Sequence, residues 1–211
     1  MKYFLIRERL EKHIYRTIPG FKIKNKKQSL LMKILGRLLF FNPQFMSRYV
    51  SVIYPVMYVP DFPFKANDHV SATELLAHEY VHLRDRKSMG PLFNFLYLSP
   101  QILAVFGFLG FSYSPWFMLF FLFALPWPSP GRAWLEYRGY RMSLAVMYWL
   151  RPSLHIDSAI DFVTYQFTSS NYFWMMPFKG HVRRLFYREF NKIRNNKLTP
   201  ELEEIKVVLG V

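Results

Sequence analysis

Residues 88–131 carry no charge at all, and no other feature of the chain restricts its folding so strongly. An uncharged block of that length has to be buried in protein or placed in lipid. Residues 91–111 approach the roughly 20 residues that cross a bilayer as a helix, but Ser99-Pro100-Gln101 would kink such a helix. Residues 115–126 reach only about half that length. Two full spans are therefore not expected. The block reads instead as an apolar helical hairpin, shallow or re-entrant, with both flanks on one side. Arg84, Arg86 and Lys87 precede it, and Arg132, Arg138 and Arg141 follow it. The positive-inside tendency puts both flanks on a cytoplasmic face. A hairpin buried within protein is the alternative.

A chain of 211 residues makes one domain, or one domain with an appendage, and is long enough to bury a core. Cysteine is absent, which excludes disulfides, thiolate zinc sites and cysteine nucleophiles and fits a reducing compartment. A formal charge of +14 and a pI near 10.0 predict attraction to polyanions. With 19% aromatic and 52% hydrophobic residues, an anionic membrane surface is a better partner than nucleic acid, because amphipathic rings favour the headgroup region. No recognised nucleic-acid module is visible, so a nucleic-acid binder ranks last.

In chain order, residues 2–15 read as a short amphipathic helix with Phe4, Leu5, Leu10 and Ile14 on one side. A lysine-loaded break follows, and then an apolar helix over 29–41 that suits a bilayer interface or the protein core. Residues 49–59 are β-branched and aromatic and read as a strand. Pro55 in the middle confines that strand to a sheet edge or a bulge, and at an edge an extended peptide could pair with it. A helix is expected over 133–150, another over 155–167 with Asp157 and Asp161 on one face, and a basic one over 179–197 suited to anionic lipid. Residues 171–178 form an aromatic loop between the last two. Thr199 and Pro200 cap a final short helix. Three successive segments result: basic N-terminal helices over 1–48, a core over 49–150, and a basic aromatic C-terminal segment over 151–211.

The chemistry concentrates in residues 71–86, where Ser71 and Glu74 have the spacing of a capping box that starts a helix. His78 and His82 then lie one turn apart on one face, with Glu79 beside them. This is H-E-x-x-H, the zinc metalloprotease signature. Two neutral imidazoles one turn apart can reach one Zn2+ ion, and a catalytic site leaves a coordination position open for water. The metal acidifies that water, and Glu79 is placed to take its proton as the water attacks a carbonyl. A third protein ligand is still required.

The metzincin extension fails, because Asp85 stands where its glycine would be and Ser88 where its third histidine would be. The pattern resembles the gluzincins, in which a glutamate from a later helix is the third ligand. Glu136, in W-L-E-Y-R-G-Y, matches it and is the only carboxylate between Asp85 and Asp157. The apolar block between motif and glutamate looks like the membrane-bound CaaX prenyl protease group and its bacterial quality-control relatives. The resemblance covers about residues 49–150, within this one chain's 211. It implies an α+β, mostly helical fold: a zincin-like helix pair with a small sheet and the apolar hairpin. Gly139 takes the small position of the family's Glu-x-x-Ala-Asp, while Tyr140 replaces the aspartate that orients a ligand. Asp85, one turn after His82, is a substitute. Tyr140, Tyr172 and His181 are candidates to donate to the developing oxyanion, and His155 is a substitute ligand; His13 and His69 read as surface residues. Small size, lack of cysteine and a basic aromatic style also suit a phage-encoded, virion-associated protein.

The sequence thus points to a zinc-dependent, membrane-associated peptidase acting on a peptide or protein substrate. His78, His82 and Glu136 would hold Zn2+, and Glu79 would be the general base. The competing reading is a non-catalytic scaffold, virion- or membrane-associated, in which a fourth protein ligand closes a structural metal site.

Overall fold

A computed structural model describes residues 1–38, 44–47, 49–60, 68–125, 127–151, 153–170 and 174–211. The fold is α+β and mostly helical, with one small sheet. Its helices are α1 (Lys2–Thr17), α2 (Leu30–Leu38), α3 (His69–Met89), α4 (Pro91–Leu98), α5 (Pro130–Leu150), α6 (Ile156–Thr168), α7 (Lys179–Arg194) and α8 (Pro200–Leu209). The strands are β1 (Lys22–Asn25), β2 (Ser51–Ile53) and β3 (Val56–Val59). The chain packs as two compact units, one of Met1–Ser88, Met142–Pro152 and Leu198–Val211, the other of Met89–Arg141 and Ser153–Lys197.

In the first unit the stretch expected as one strand is a hairpin. β2 and β3 are antiparallel, turn at Tyr54-Pro55, and pair Ile53 with Val56. Proline falls in the turn, where its missing N–H costs nothing. β1 pairs with β3 in parallel, which makes β3 the central strand. The expected free edge immediately before α3 is therefore taken, and the outer edges belong to β1 and β2. β1 itself was hidden in the lysine-rich break. K-I-K-N alternates with the period of two that a strand needs, its two lysines exposed or nearly so and Ile23 half-buried.

α1 buries Ile6, Leu10 and Ile14 and packs on α8, which buries Leu202, Ile205 and Leu209. Each such side chain contributes about 1.5–3 kcal/mol when fully buried. Phe4 and Leu5, expected on the inner face, are about half exposed. α8 starts at Pro200 as expected, although Thr199 makes no side-chain cap bond. A polar clasp joins three helices: Glu204 accepts from Tyr80 at 2.9 Å and from Arg84 at 2.5 Å, and lies 2.9 Å from His13 Nε2. His13 is thus a member of a network rather than a plain surface residue. The clasp fastens the outer face of α3, whose buried residues include Leu76, Ala77 and Leu83.

In the second unit, α4 breaks at Ser99-Pro100, and the chain bends by 85° into a 3-10 stretch, Gln101–Phe111. A second 3-10 stretch, Pro115–Ala124, folds back on it. Glycines permit the contact. A Cβ on Gly107 would come within 2.7 Å of the Phe121 ring, and one on Gly110 within 2.5 Å of Met118. Among the described residues no single helix is long and apolar enough to cross a membrane; α4 with Gln101–Phe111 passes that test only as a bent pair. Phe111, Tyr113 and Trp116 at the hairpin tip are more than 70% exposed. α6 and α7 pack together. α7 buries Val182, Phe186, Phe190 and Ile193, while Tyr187 donates to Asp157 and Arg183 pairs with Asp161 at 3.4 Å.

Candidate metal centre

α3 begins two residues before Ser71. Asp68 caps it, accepting from the Ser71 backbone N–H at 3.0 Å and from the Ser71 hydroxyl at 2.5 Å. The expected Ser71–Glu74 capping box is therefore not the cap, and Glu74 is released for another use. Asp68 is held below the usual carboxylate range, first by these two bonds.

His78 and His82 are both buried on α3. Their Nε2 atoms face each other at 3.1 Å, with the rings edge-to-face at 4.9 Å. Two nitrogens on a tetrahedral zinc, each about 2.05 Å from the metal, would stand about 3.3 Å apart. The observed separation is close to that. Behind the pair, Nδ1 of His78 lies 3.2 Å from the hydroxyl oxygen of Ser143 on α5, which leaves Nε2 directed at His82.

Glu136 is buried on α5, two turns before Ser143 on the same helical face. One ligand atom from each of His78, His82 and Glu136 lies within 4.8 Å of the others, and all three residues are buried. Two imidazoles and a carboxylate are the donor set that zinc takes in His2Glu catalytic sites. The residues fit the ion.

Glu136 does not stand by itself. Tyr97 on α4 donates its hydroxyl to Glu136 Oε1 at 2.7 Å. The backbone carbonyl of Tyr97 accepts from Arg132 Nε at 2.8 Å, and the other end of that guanidinium reaches Gln101 Oε1 at 3.3 Å. Close approach of the two backbones makes this possible, since a Cβ on Gly131 would sit 2.6 Å from the Leu96 carbonyl oxygen. α5 is started by Ser129, whose carbonyl accepts from Ala133 N–H at 2.8 Å and whose hydroxyl bonds Ser99 O.

Glu79 is half-buried on α3 beside the histidines. Lys26, fully buried, is coupled to it electrostatically; burial pushes the Lys26 ammonium down to about 8, and the charge of Glu79 only partly restores it. Lys26 Nζ donates to Phe45 O at 2.7 Å and lies 3.9 Å above the Phe45 ring.

Of the remaining candidates, Tyr140 is buried one turn after Glu136, its ring edge-on to Phe167 at 5.8 Å. His181 is exposed on the first turn of α7, and His155 is exposed just before α6. Tyr172 lies outside the described residues. His69 opens α3 with its ring edge against Phe4 at 5.5 Å. Asp85 is buried on α3 one turn after His82. Sequence reasoning passed over Ser143, Tyr97 and Lys26. For Ser143 a signal existed, namely its seven-residue spacing from Glu136; for the other two nothing local marks the role. Comparison with protein-family models, with curated proteins and with solved structures finds no match for this chain.

Proposed function

We propose that this protein is a zinc-dependent, membrane-associated peptidase of gluzincin-like design. The observation that carries the reading is the convergence of His78, His82 and Glu136 to within 4.8 Å. In this reading the two imidazoles and the carboxylate hold Zn2+, and Tyr97 orients the carboxylate. A bound zinc ion would supply Lewis-acid polarisation of a peptide carbonyl and acidification of a water molecule. Glu79, next to His78, takes the proton from the attacking water and returns it to the leaving amine. The Lys26 ammonium adds positive potential around that carboxylate. Tyr140 and His181 are the remaining donors proposed for the oxyanion, each from a phenol or a neutral imidazole.

Membrane association is supported by the hairpin. Its apolar side chains, from Phe106 and Phe108 to Trp116 and Leu119, are exposed rather than packed inside the chain. Exposed apolar surface of that extent marks an interaction site. α2 adds a second patch, with Leu30, Leu31, Ile34 and Leu38 exposed beside Lys33 and Arg37. Apolar contact flanked by cations suits anionic headgroups on a cytoplasmic face.

The burial of all three metal-site residues favours one other reading, a structural metal in a non-catalytic scaffold. Two measurements separate them. Purified protein should contain one zinc per chain, and Glu79→Gln should keep the zinc while losing hydrolysis of an unstructured protein substrate by about 10^2-fold or more. Retained zinc with no hydrolysis in the parent protein supports the structural reading. Absence of zinc removes both.

A further inference from the structure

His78, Ser143 and Glu74 form a chain of groups that the metal chemistry has not yet used. Glu74 precedes His78 by one turn of α3, so the two share a face. The Ser143 hydroxyl stands between them. It is 3.2 Å from His78 Nδ1 and hydrogen-bonds the Glu74 side chain. Ser143 is buried and Glu74 is half-buried.

With Glu74 ionised, the donor count orders this chain of groups. A hydroxyl has one hydrogen to give. If Ser143 gives it to the Glu74 carboxylate, its oxygen is left to accept, and an N–H on Nδ1 of His78, 3.2 Å away, is placed to donate. The hydrogen then resides on Nδ1, and Nε2 carries the free lone pair. Nε2 is the atom that faces His82. A ligating histidine whose second nitrogen is held in this way is oriented before the metal arrives.

We infer that Ser143 is a positioning residue, and that with Glu74 behind it forms a carboxylate–hydroxyl–imidazole relay fixing His78 in its metal-binding tautomer. The inference rests on the reading of His78 as a ligand, but it can be tested apart from that reading.

The first test needs no metal. Nitrogen-15 NMR of the histidine rings in zinc-free full-length protein should show His78 with its hydrogen on Nδ1. Ser143→Thr, which keeps the hydroxyl, should preserve that signal, and Ser143→Ala should shift it to a mixture of tautomers. A parent protein with the hydrogen on Nε2, or a Ser143→Ala spectrum identical to the parent, overturns the relay. The second test is zinc affinity, by competition with a chromogenic chelator. Ser143→Ala should weaken binding by about 10- to 100-fold, the range seen when an outer partner of a ligating histidine is removed, and Ser143→Thr should restore it. Glu74→Leu should reproduce the loss without altering the group that touches the imidazole, which guards against a folding defect specific to position 143. Unchanged affinity in both Ser143→Ala and Glu74→Leu overturns the proposal. If the parent protein binds no zinc, the peptidase reading fails, and the tautomer spectrum alone decides the relay.

Discussion

The hydroxyl of Tyr97 donates to a carboxylate oxygen of Glu136 across 2.7 Å. This contact links the apolar hairpin region to the proposed metal centre, because Tyr97 belongs to α4, the helix that opens the uncharged block. A ligating carboxylate with one oxygen held by a phenol has fewer orientations to lose when it binds a metal. Tyr97→Phe removes only the donor and keeps the ring stacked on Phe93, whose centroid is 5.8 Å away. Zinc affinity should fall by about tenfold, with little change in the thermal stability of the metal-free protein. The measurement is chelator competition alongside thermal denaturation. Affinity equal to the parent's would remove Glu136 from the ligand set or Tyr97 from its support.

The exposed hairpin leads to a separate expectation. Trp116 and Tyr113 stand at its tip, each close to 80% exposed, and tryptophan at an interface anchors a protein at headgroup depth. On mixing with vesicles containing phosphatidylserine, the tryptophan emission should move to shorter wavelength. Trp116→Ser should weaken vesicle binding by about 30-fold, since transferring an indole-sized surface from water is worth about 2 kcal/mol. Binding should also fall with added salt, because the basic residues contribute through a screened attraction. Vesicle co-sedimentation at two ionic strengths measures both effects. Equal binding by the parent and the Trp116→Ser chain would show that the hairpin is not the membrane contact.

How far the sequence announces this architecture depends on whether each feature is local. α3 and the facing pair His78 and His82 follow from spacing on one helix, and the structure places them as spacing requires. The start of α3 was misjudged by three residues, because Ser71 and Glu74 mimic a capping box while Asp68 does the capping. Pro55 was read as lying within a single strand and confining it to a sheet edge. It lies in the turn between two strands, a distinction that depends on which partner each strand finds. β1 was concealed by its lysines, whose long side chains stay in water while the backbone pairs with β3. Glu136 was reached through a family resemblance, not from its own surroundings. Tyr97 was invisible because it matters through a hydrogen bond to a residue 39 positions away, which no local pattern encodes; Ser143 had a local cue in its seven-residue spacing from Glu136, but its partner His78 lies 65 positions away. Glu74 was noticed, but given the wrong partner.

Lys26 supplies the last test, through the dependence of stability on pH. It is wholly buried, and burial lowers its ammonium from 10.5 to about 8, against the opposing charge of Glu79. Below about pH 8 the folded chain has to keep a charged amine out of water. Between about pH 8 and 10.5 the unfolded chain binds more protons at this residue than the folded chain does, so stability at this position rises with pH across that window. The gain is complete above 10.5 and is lost as pH falls through 8. Lys26→Met replaces the amine with an apolar chain of similar length. It loses the bond to Phe45 O but also removes the buried charge, so at pH 7 the change in stability should be within about 1 kcal/mol. From pH 8 to 10.5 the parent should gain stability relative to Lys26→Met, as followed by urea denaturation of both at several pH values. Parallel profiles across that range would mean that Lys26 keeps its ordinary proton affinity in the folded protein and does not act as a buried, titrating neighbour of Glu79.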